Sequence, residues 1–140
     1  MELDDVIRQR RSIRNFTPDE VAEEHIAAIL EAARLAPSGS NIQPWRMVVV
    51  TSQEARARLE AVTPYRFVVK APVVFVCCAD LKTAESRGKR IAELLAQGVF
   101  DGVDIDQKAR EKLAVPYPDP VARLSLNVAI AIEHMVLKAV

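Results

Sequence analysis

The chain has 140 residues, half of them hydrophobic, and its 19 basic residues balance 19 acidic ones. That length fits one domain with a real core, and richness in Val, Ile and Leu excludes intrinsic disorder. Only 4 Gly and 8 Pro without a repeating period exclude collagen-like and low-complexity classes, and zero formal charge gives no global pull toward nucleic acid or an anionic membrane.

In chain order, Leu3 to Gln9 is predicted as a short helix with Leu3, Val6 and Ile7 on one face. Arg8, Arg10, Arg11 and Arg14 then place four arginines within seven residues. Thr17-Pro18-Asp19-Glu20 predicts a helix start, with Thr17 as N-cap, Pro18 in the first helical position and Glu20 closing a capping box. The helix is expected to run to about Leu35 on a buried stripe of Ile26, Ile29, Leu30 and Ala33. The segment from Ala36 to Asn41 breaks it.

Arg46 to Thr51 and Val73 to Ala79 read as strands, the second apolar on both faces as in a covered parallel or mixed sheet. Gln53 to Ala61 reads as a surface helix between them. Leu81 to about Leu113 is charged and mostly helical, interrupted near Gly98 to Gly102, where a lid or excursion would sit although a plain surface helix is the commoner reading. Arg87 and Tyr117 could face a substrate, but surface placement is expected for both. Pro116-Tyr117-Pro118-Asp119-Pro120 stops the chain and launches a last helix from Val121. That helix is apolar on nearly every side, and Arg123, Glu133, His134 and Lys138 interrupt it. It is therefore expected as a core or oligomer-interface helix rather than a membrane span.

Cys77 and Cys78 are neighbours on a predicted strand and point to opposite faces, so a mutual disulfide is not expected. This cysteine usage fits a reducing compartment, and the N-terminus lacks the apolar run of a signal peptide. A cytoplasmic location is expected. His25 and His134 have no carboxylate or cysteine at metal-ligand spacing, so no metal site is expected.

Two segments are dense in chemistry. In the first, Arg10 and Arg14 stand one helical turn apart with the Ser12 hydroxyl between them, a set suited to the oxygens of a phosphate monoester. A solvated surface patch is the alternative. RNA binding fares worse, because aromatic content is 5% and no stacking platform lies nearby. In the second, Ser38, Ser40, Asn41 and Gln43 can surround a flat heterocycle with donors and acceptors. A plain helix-to-strand loop is the alternative there.

Arg10-Arg11-Ser12-Ile13-Arg14-x-Phe16 together with Ala36-Pro37-Ser38-x-x-Asn41-x-Gln43-Pro44-Trp45 resembles the nitroreductase family of flavoproteins. The resemblance covers essentially the whole chain, residues 1–140, as one domain. It implies an α+β sandwich, a mixed sheet covered by helices, forming an intertwined homodimer with FMN at the subunit interface. It further implies an oxidoreductase that takes hydride from NAD(P)H and passes electrons by a ping-pong mechanism to nitroaromatics, quinones or similar acceptors.

Residue by residue, the resemblance assigns Arg10, Arg11, Ser12 and Arg14 to the FMN phosphate and ribityl chain. Pro37, Ser38 and Gly39 are assigned to the isoalloxazine in the partner subunit's half of the site, with Asn41 and Gln43 supporting that loop or touching the ring. Pro44 and Trp45 are expected to pack the loop onto the sheet, and no side chain is assigned as a catalytic acid. The family's pattern continues beyond the last helix with further strands and a basic residue, so the chain is expected to be incomplete at its C-terminus. A dimerising domain without flavin, and a family member with a specialised substrate such as a dehalogenase, are the alternative readings.

Overall fold

The computed structural model describes residues 2–140. Its helices are α1 (Leu3–Gln9), α2 (Glu23–Arg34), α3 (Gln53–Arg58), α4 (Arg66–Lys70), α5 (Arg87–Ala96), α6 (Gln107–Ala114) and α7 (Pro120–Lys138). The strands β1 (Trp45–Val50) and β2 (Val74–Ala79) pair antiparallel, from Trp45 opposite Ala79 to Val50 opposite Val74. The α+β class holds, and the pair is antiparallel, the direction that the reading of β2 as part of a parallel or mixed sheet leaves open. The connection through α3 and α4 returns the chain to the adjacent edge without the crossover that parallel pairing demands.

The register explains the apolar run. Alternation along both strands puts Trp45, Met47, Phe75 and Cys77 on one face, packed against the cluster of Ala33, Ala36, Ala131 and Met135. The opposite face carries Arg46, Val48 and Cys78, which are exposed.

The helix start at Thr17 also fails. α2 begins at Glu23, with Ala22 in the N-cap position and no side-chain cap. The preceding chain is non-helical and lays Phe16 and Val21 over a hollow that Ile29, Ala71 and Phe75 also line. Val21 is half-buried there and Phe16 still 39% exposed, and their contact with the hollow takes the place of a cap worth about 1 kcal/mol. Within α2, Ala33 is fully buried, while Ile26, Ile29 and Leu30 are half-buried. The five-residue helix α4 had no counterpart among the sequence expectations, being little more than one turn.

The last helix organises the rest. Asp119 caps α7 by accepting the Ala122 N–H at 3.1 Å, and Pro120 fills the first turn, where its missing N–H costs nothing. Leu124, Asn127, Val128, Ala131 and Met135 are buried at three- and four-residue spacing and face α2 and the sheet. Alanines at the α2–α7 contact (Ala33, Ala36 and Ala131) let the two backbones approach closely. Leu124 joins Ile42 and Ala84 in a second cluster. The other side of α7 presents Leu126, Ile130 and Ile132, exposed by 61%, 40% and 37%. By length and composition α7 is apolar enough to cross a bilayer, yet its five buried residues pack inside this fold as those of a core helix do.

The charged excursion is a helical hairpin of α5 and α6. Gly98 (φ 70°) and Gly102 (φ 80°) turn the chain between them, at backbone angles that favour glycine. A Cβ on Gly88 would sit 2.5 Å from the Ala114 carbonyl oxygen, so the two helices touch backbone to backbone at that point.

Leu124 has no exposed surface. Leu124→Ala is expected to cost about 2–5 kcal/mol in urea unfolding, while Leu126→Ala on the open face of α7 stays within about 0.5 kcal/mol.

Candidate functional site

Residues 36–44 form a loop whose backbone is unusual for its composition. Ser40, Asn41 and Gln43 have φ of 58°, 47° and 47°, so three non-glycine residues occupy the left-handed region. Each such residue costs on the order of 1 kcal/mol and persists only where the surroundings over-determine it. Here they do. The Gly39 N–H donates to Asn127 Oδ1 at 2.8 Å, and the Gln43 N–H donates to Ser38 Oγ at 2.9 Å. The Asn41 N–H donates to the Ser38 carbonyl at 2.9 Å. Beyond the loop, Pro44 is fully buried, and its carbonyl accepts the Asp80 N–H at 2.7 Å. Trp45 packs on the core, so both residues dock the loop onto the sheet.

Asn127 is central to this arrangement. It is buried, yet its amide is satisfied on both sides, since Nδ2 donates to the Arg123 carbonyl at 2.8 Å while Oδ1 takes Gly39. Gly39 itself lies under Tyr117, where a Cβ would fall 2.9 Å from the Tyr117 hydroxyl. The loop is thus strapped from below. Pro37, Gly39, Asn41 and Gln43 are exposed, and Ser38 is half-buried.

The arginine segment is placed differently from the sequence expectation. α1 ends at Gln9, Arg10 has extended geometry (φ −51°, ψ 132°), and residues 10–16 form no helix. Arg10 and Arg14 are therefore not one helical turn apart. Arg11 curls back instead, its Nη1 donating to the carbonyls of Arg8 at 2.7 Å and Arg10 at 2.9 Å, which caps the end of α1. Arg14 Nη1 donates to the Ser12 carbonyl at 3.0 Å, and its guanidinium carbon lies 5.8 Å from the centre of the Phe67 ring. Arg10, Arg11, Ser12 and Arg14 are all exposed. Among the described residues, the ion pairs are Arg34–Glu31, Arg46–Asp80, Arg58–Glu54 and Arg90–Glu93, and none involves this segment.

The two segments lie at opposite ends of the sheet. The loop sits at the Trp45–Ala79 end of the sheet and contacts α7 at Asn127. Arg14 and Phe16 lie toward the Val50–Val74 end, Arg14 over Phe67 and Phe16 in a hollow of about 710 Å³ shared with Phe67, Val74, Val136 and Ala139. Five strand steps of about 3.3 Å separate the two ends.

Charge near the loop is ordered by Asp80. Its Oδ2 is 2.9 Å from Arg46 Nη2, and its Oδ1 accepts the Lys82 N–H at 3.1 Å. The Arg46 guanidinium, then the Lys82 N–H, hold the Asp80 carboxyl below its ordinary range. Burial, with a smaller contribution from Cys78, pushes the Cys77 thiol up, which keeps it neutral and unreactive. His134 Nδ1 lies 3.0 Å from the Ile130 carbonyl, and no group of three or more metal-ligating side chains occurs among the described residues.

Sequence reasoning missed the residues that hold the loop: Asn127, Arg87, Arg90 and Tyr117. Arg87 and Tyr117 are not free surface groups. Arg87 Nε reaches Ser40 Oγ at 3.4 Å, and its guanidinium stacks 4.5 Å from the centre of the Tyr117 ring. Arg90 Nε donates to the Asn41 carbonyl at 3.3 Å. One signal was readable, a lone asparagine on the apolar face of the last helix.

The chain thus combines an α+β fold with a strained polar loop and a separate arginine segment. The model of the nitroreductase family matches residues 7–140, and the chain belongs to that family. It is 40% identical over 108 residues to an NADH dehydrogenase of Thermus thermophilus, covering 76% of this chain and 49% of that protein. It is 50% identical over 66 residues to a nitrobenzene nitroreductase of Ectopseudomonas oleovorans, covering 46% of this chain and 29% of that one. A solved structure from Desulfovibrio desulfuricans, a complex with FMN, is 27% identical and superposes with a TM-score of 0.65, covering 98% of this chain and 61% of its own. The chain thus spans about half the length, or less, of these curated relatives.

Asn127→Ala leaves the Gly39 N–H without its acceptor and is expected to cost about 1–3 kcal/mol in urea unfolding. The Asp80 carboxyl contributes stability that is complete above its ordinary value of 3.8 and is lost as pH falls through the lower folded value. Arg46→Met is expected to move the Asp80 midpoint back up in a carboxyl NMR titration. An unmoved midpoint would show that Arg46 is not the cause.

Proposed function

We propose that the chain is part of an FMN-dependent oxidoreductase that moves hydride from NAD(P)H to a nitroaromatic, quinone or similar acceptor, donor and acceptor occupying one face in turn. The observation that carries this reading is the two-part polar surface of a nitroreductase-family fold. Guanidinium groups stand free of carboxylates at one end, and a prebuilt strained loop stands at the other. The names of the Thermus thermophilus and Ectopseudomonas oleovorans relatives support the donor and acceptor classes. The FMN complex supports the cofactor.

The residues present fit FMN. Arg10, Arg11 and Arg14 offer forked donors to a phosphate monoester, and Ser12 adds a hydroxyl. Pro37, Ser38 and Gly39 offer a narrow surface against which a flat ring can lie, while the amides of Asn41 and Gln43 offer donors and acceptors to its edge. Because the loop is held by Asn127 and Ser38, its ordering cost is met on folding rather than on binding. Bound FMN supplies the hydride chemistry itself. The chain's part is to hold phosphate and ring and to orient the reactants, and no side chain is assigned as a catalytic acid.

The separation of the two segments supports a homodimer, in which arginines of one subunit and the loop of the other serve one flavin. The exposed Leu126, Ile130 and Ile132 on α7 supply apolar surface for such a partner. A cytoplasmic location completes the proposal and is supported by the free thiols of Cys77 and Cys78.

The test is the visible spectrum of the full-length protein, gel-filtered after incubation with FMN. A retained flavin band that NAD(P)H bleaches is expected, and a colourless eluate overturns the reading. Arg10→Ala and Arg14→Ala are each expected to raise the FMN dissociation constant roughly tenfold, the loss of one charge-assisted contact. Affinity equal to that of the unsubstituted protein would remove the phosphate assignment.

A further inference from the structure

Arg87, in the first turn of α5, makes more connections than a surface helix needs. Its Nε approaches Ser40 Oγ at 3.4 Å. Its Nη1 donates to the carbonyls of Lys112 at 3.1 Å and Val115 at 2.6 Å, the last acceptors at the end of α6. Its flat face covers the Tyr117 ring at 4.5 Å, and the hydroxyl of that ring lies over Gly39. One guanidinium thus touches three separate segments: the strained loop, the end of the α5–α6 hairpin and the stretch leading into α7. One turn later, Arg90 Nε holds the Asn41 carbonyl at 3.3 Å.

The chemistry of the group suits this task. A guanidinium has donors on both Nε and Nη and a planar face for stacking, so it can bond in two directions while lying on an aromatic ring. A cation at the end of α6 is also placed where helix carbonyls are unsatisfied. α5 and α6 meet closely where Gly88 faces the Ala114 carbonyl. A displacement of α6 therefore pulls on Arg87, and through it on Ser40, which already has a strained backbone.

We infer that Arg87 is a positioning residue that locks the α5–α6 hairpin to the 38–43 loop, so that loosening either one loosens the other. The meaning of this lock for catalysis rests on the reading of that loop as the flavin cradle. The coupling itself is a property of the chain and is measurable without flavin. Lysine cannot replace the residue, because its ammonium is a point charge with neither the fork nor the stacking face.

The experiment is amide hydrogen exchange on the full-length protein without flavin, comparing it with Arg87→Met, Arg87→Lys and Ser40→Ala. Arg87→Met is expected to speed exchange roughly tenfold in residues 107–117 and in residues 38–43 together, with Arg87→Lys failing to restore either. Ser40→Ala, which cuts only the link between Arg87 and the loop, is expected to loosen the loop and, by reciprocity, to speed exchange in 107–117 as well. Unchanged exchange at Ala131 and Met135 marks the variants as folded. Arg87→Gln, which keeps one side-chain amide but loses the fork and the stacked charge, is expected to loosen both segments by a smaller factor. It decides the matter if Arg87→Met does not fold.

Faster exchange in 107–117 with the loop unaltered overturns the coupling. On the same samples, Arg87→Met is expected to raise the FMN dissociation constant roughly five- to tenfold, read by quenching of flavin fluorescence. Failure of the unsubstituted protein to bind FMN would overturn the flavin reading, while the exchange pattern would still decide the coupling.

Discussion

The hydrogen bond from the Gly39 N–H to Asn127 Oδ1 joins the two parts of the molecule that matter most, the core helix α7 and the polar loop. An amide in the middle of a buried helical face is costly unless every group on it is satisfied. Asn127 meets that condition by giving Nδ2 to the helix's own Arg123 carbonyl and Oδ1 to the loop. Packing of Leu124, Val128 and Ala131 keeps α7 in place, and the asparagine converts that rigidity into a fixed position for a backbone that would otherwise relax.

Around this anchor the fold divides its surface by purpose. One face of the antiparallel pair and one face of α7 make the core, while the other face of α7 stays apolar and open. The loop and the arginine segment occupy opposite ends of the sheet, one strapped by hydrogen bonds and the other held by little beyond its own carbonyls and the Phe67 ring. On the proposed reading, the strapped loop and the loosely held arginine segment are different solutions to two halves of a recognition problem. A flat heterocycle needs shape, whereas a phosphate needs charge with some freedom to close on it.

Much of this was legible in the chain alone. Alternation and β-branched runs located both strands, the Pro-rich stretch before Pro120 located the last helix, and Gly98 and Gly102 located the break in the charged segment. The two polar motifs were readable because arginines in a short run and a Ser-Asn-Gln loop after a helix have few structural uses in common. What misled were signals whose energies are small. The capping box at Thr17 lost to an extended path that sets Phe16 and Val21 against an apolar hollow, and the helical spacing of Arg10 and Arg14 lost to a chain that turns away at Gln9.

The sequence by itself determined the class of fold, the order of elements and the residues with chemistry to offer, because periodicity, caps and composition act over a few neighbouring positions. Strand direction, the left-handed backbone of Ser40, Asn41 and Gln43, and the gathering of Asn127, Arg87 and Tyr117 around one loop were decided only by the tertiary structure. The strand pairs join positions about 24 to 34 residues apart and the loop's partners positions about 45 to 90 apart, through hydrogen bonds and close contacts whose geometry exists only once α5, α7 and the sheet have packed.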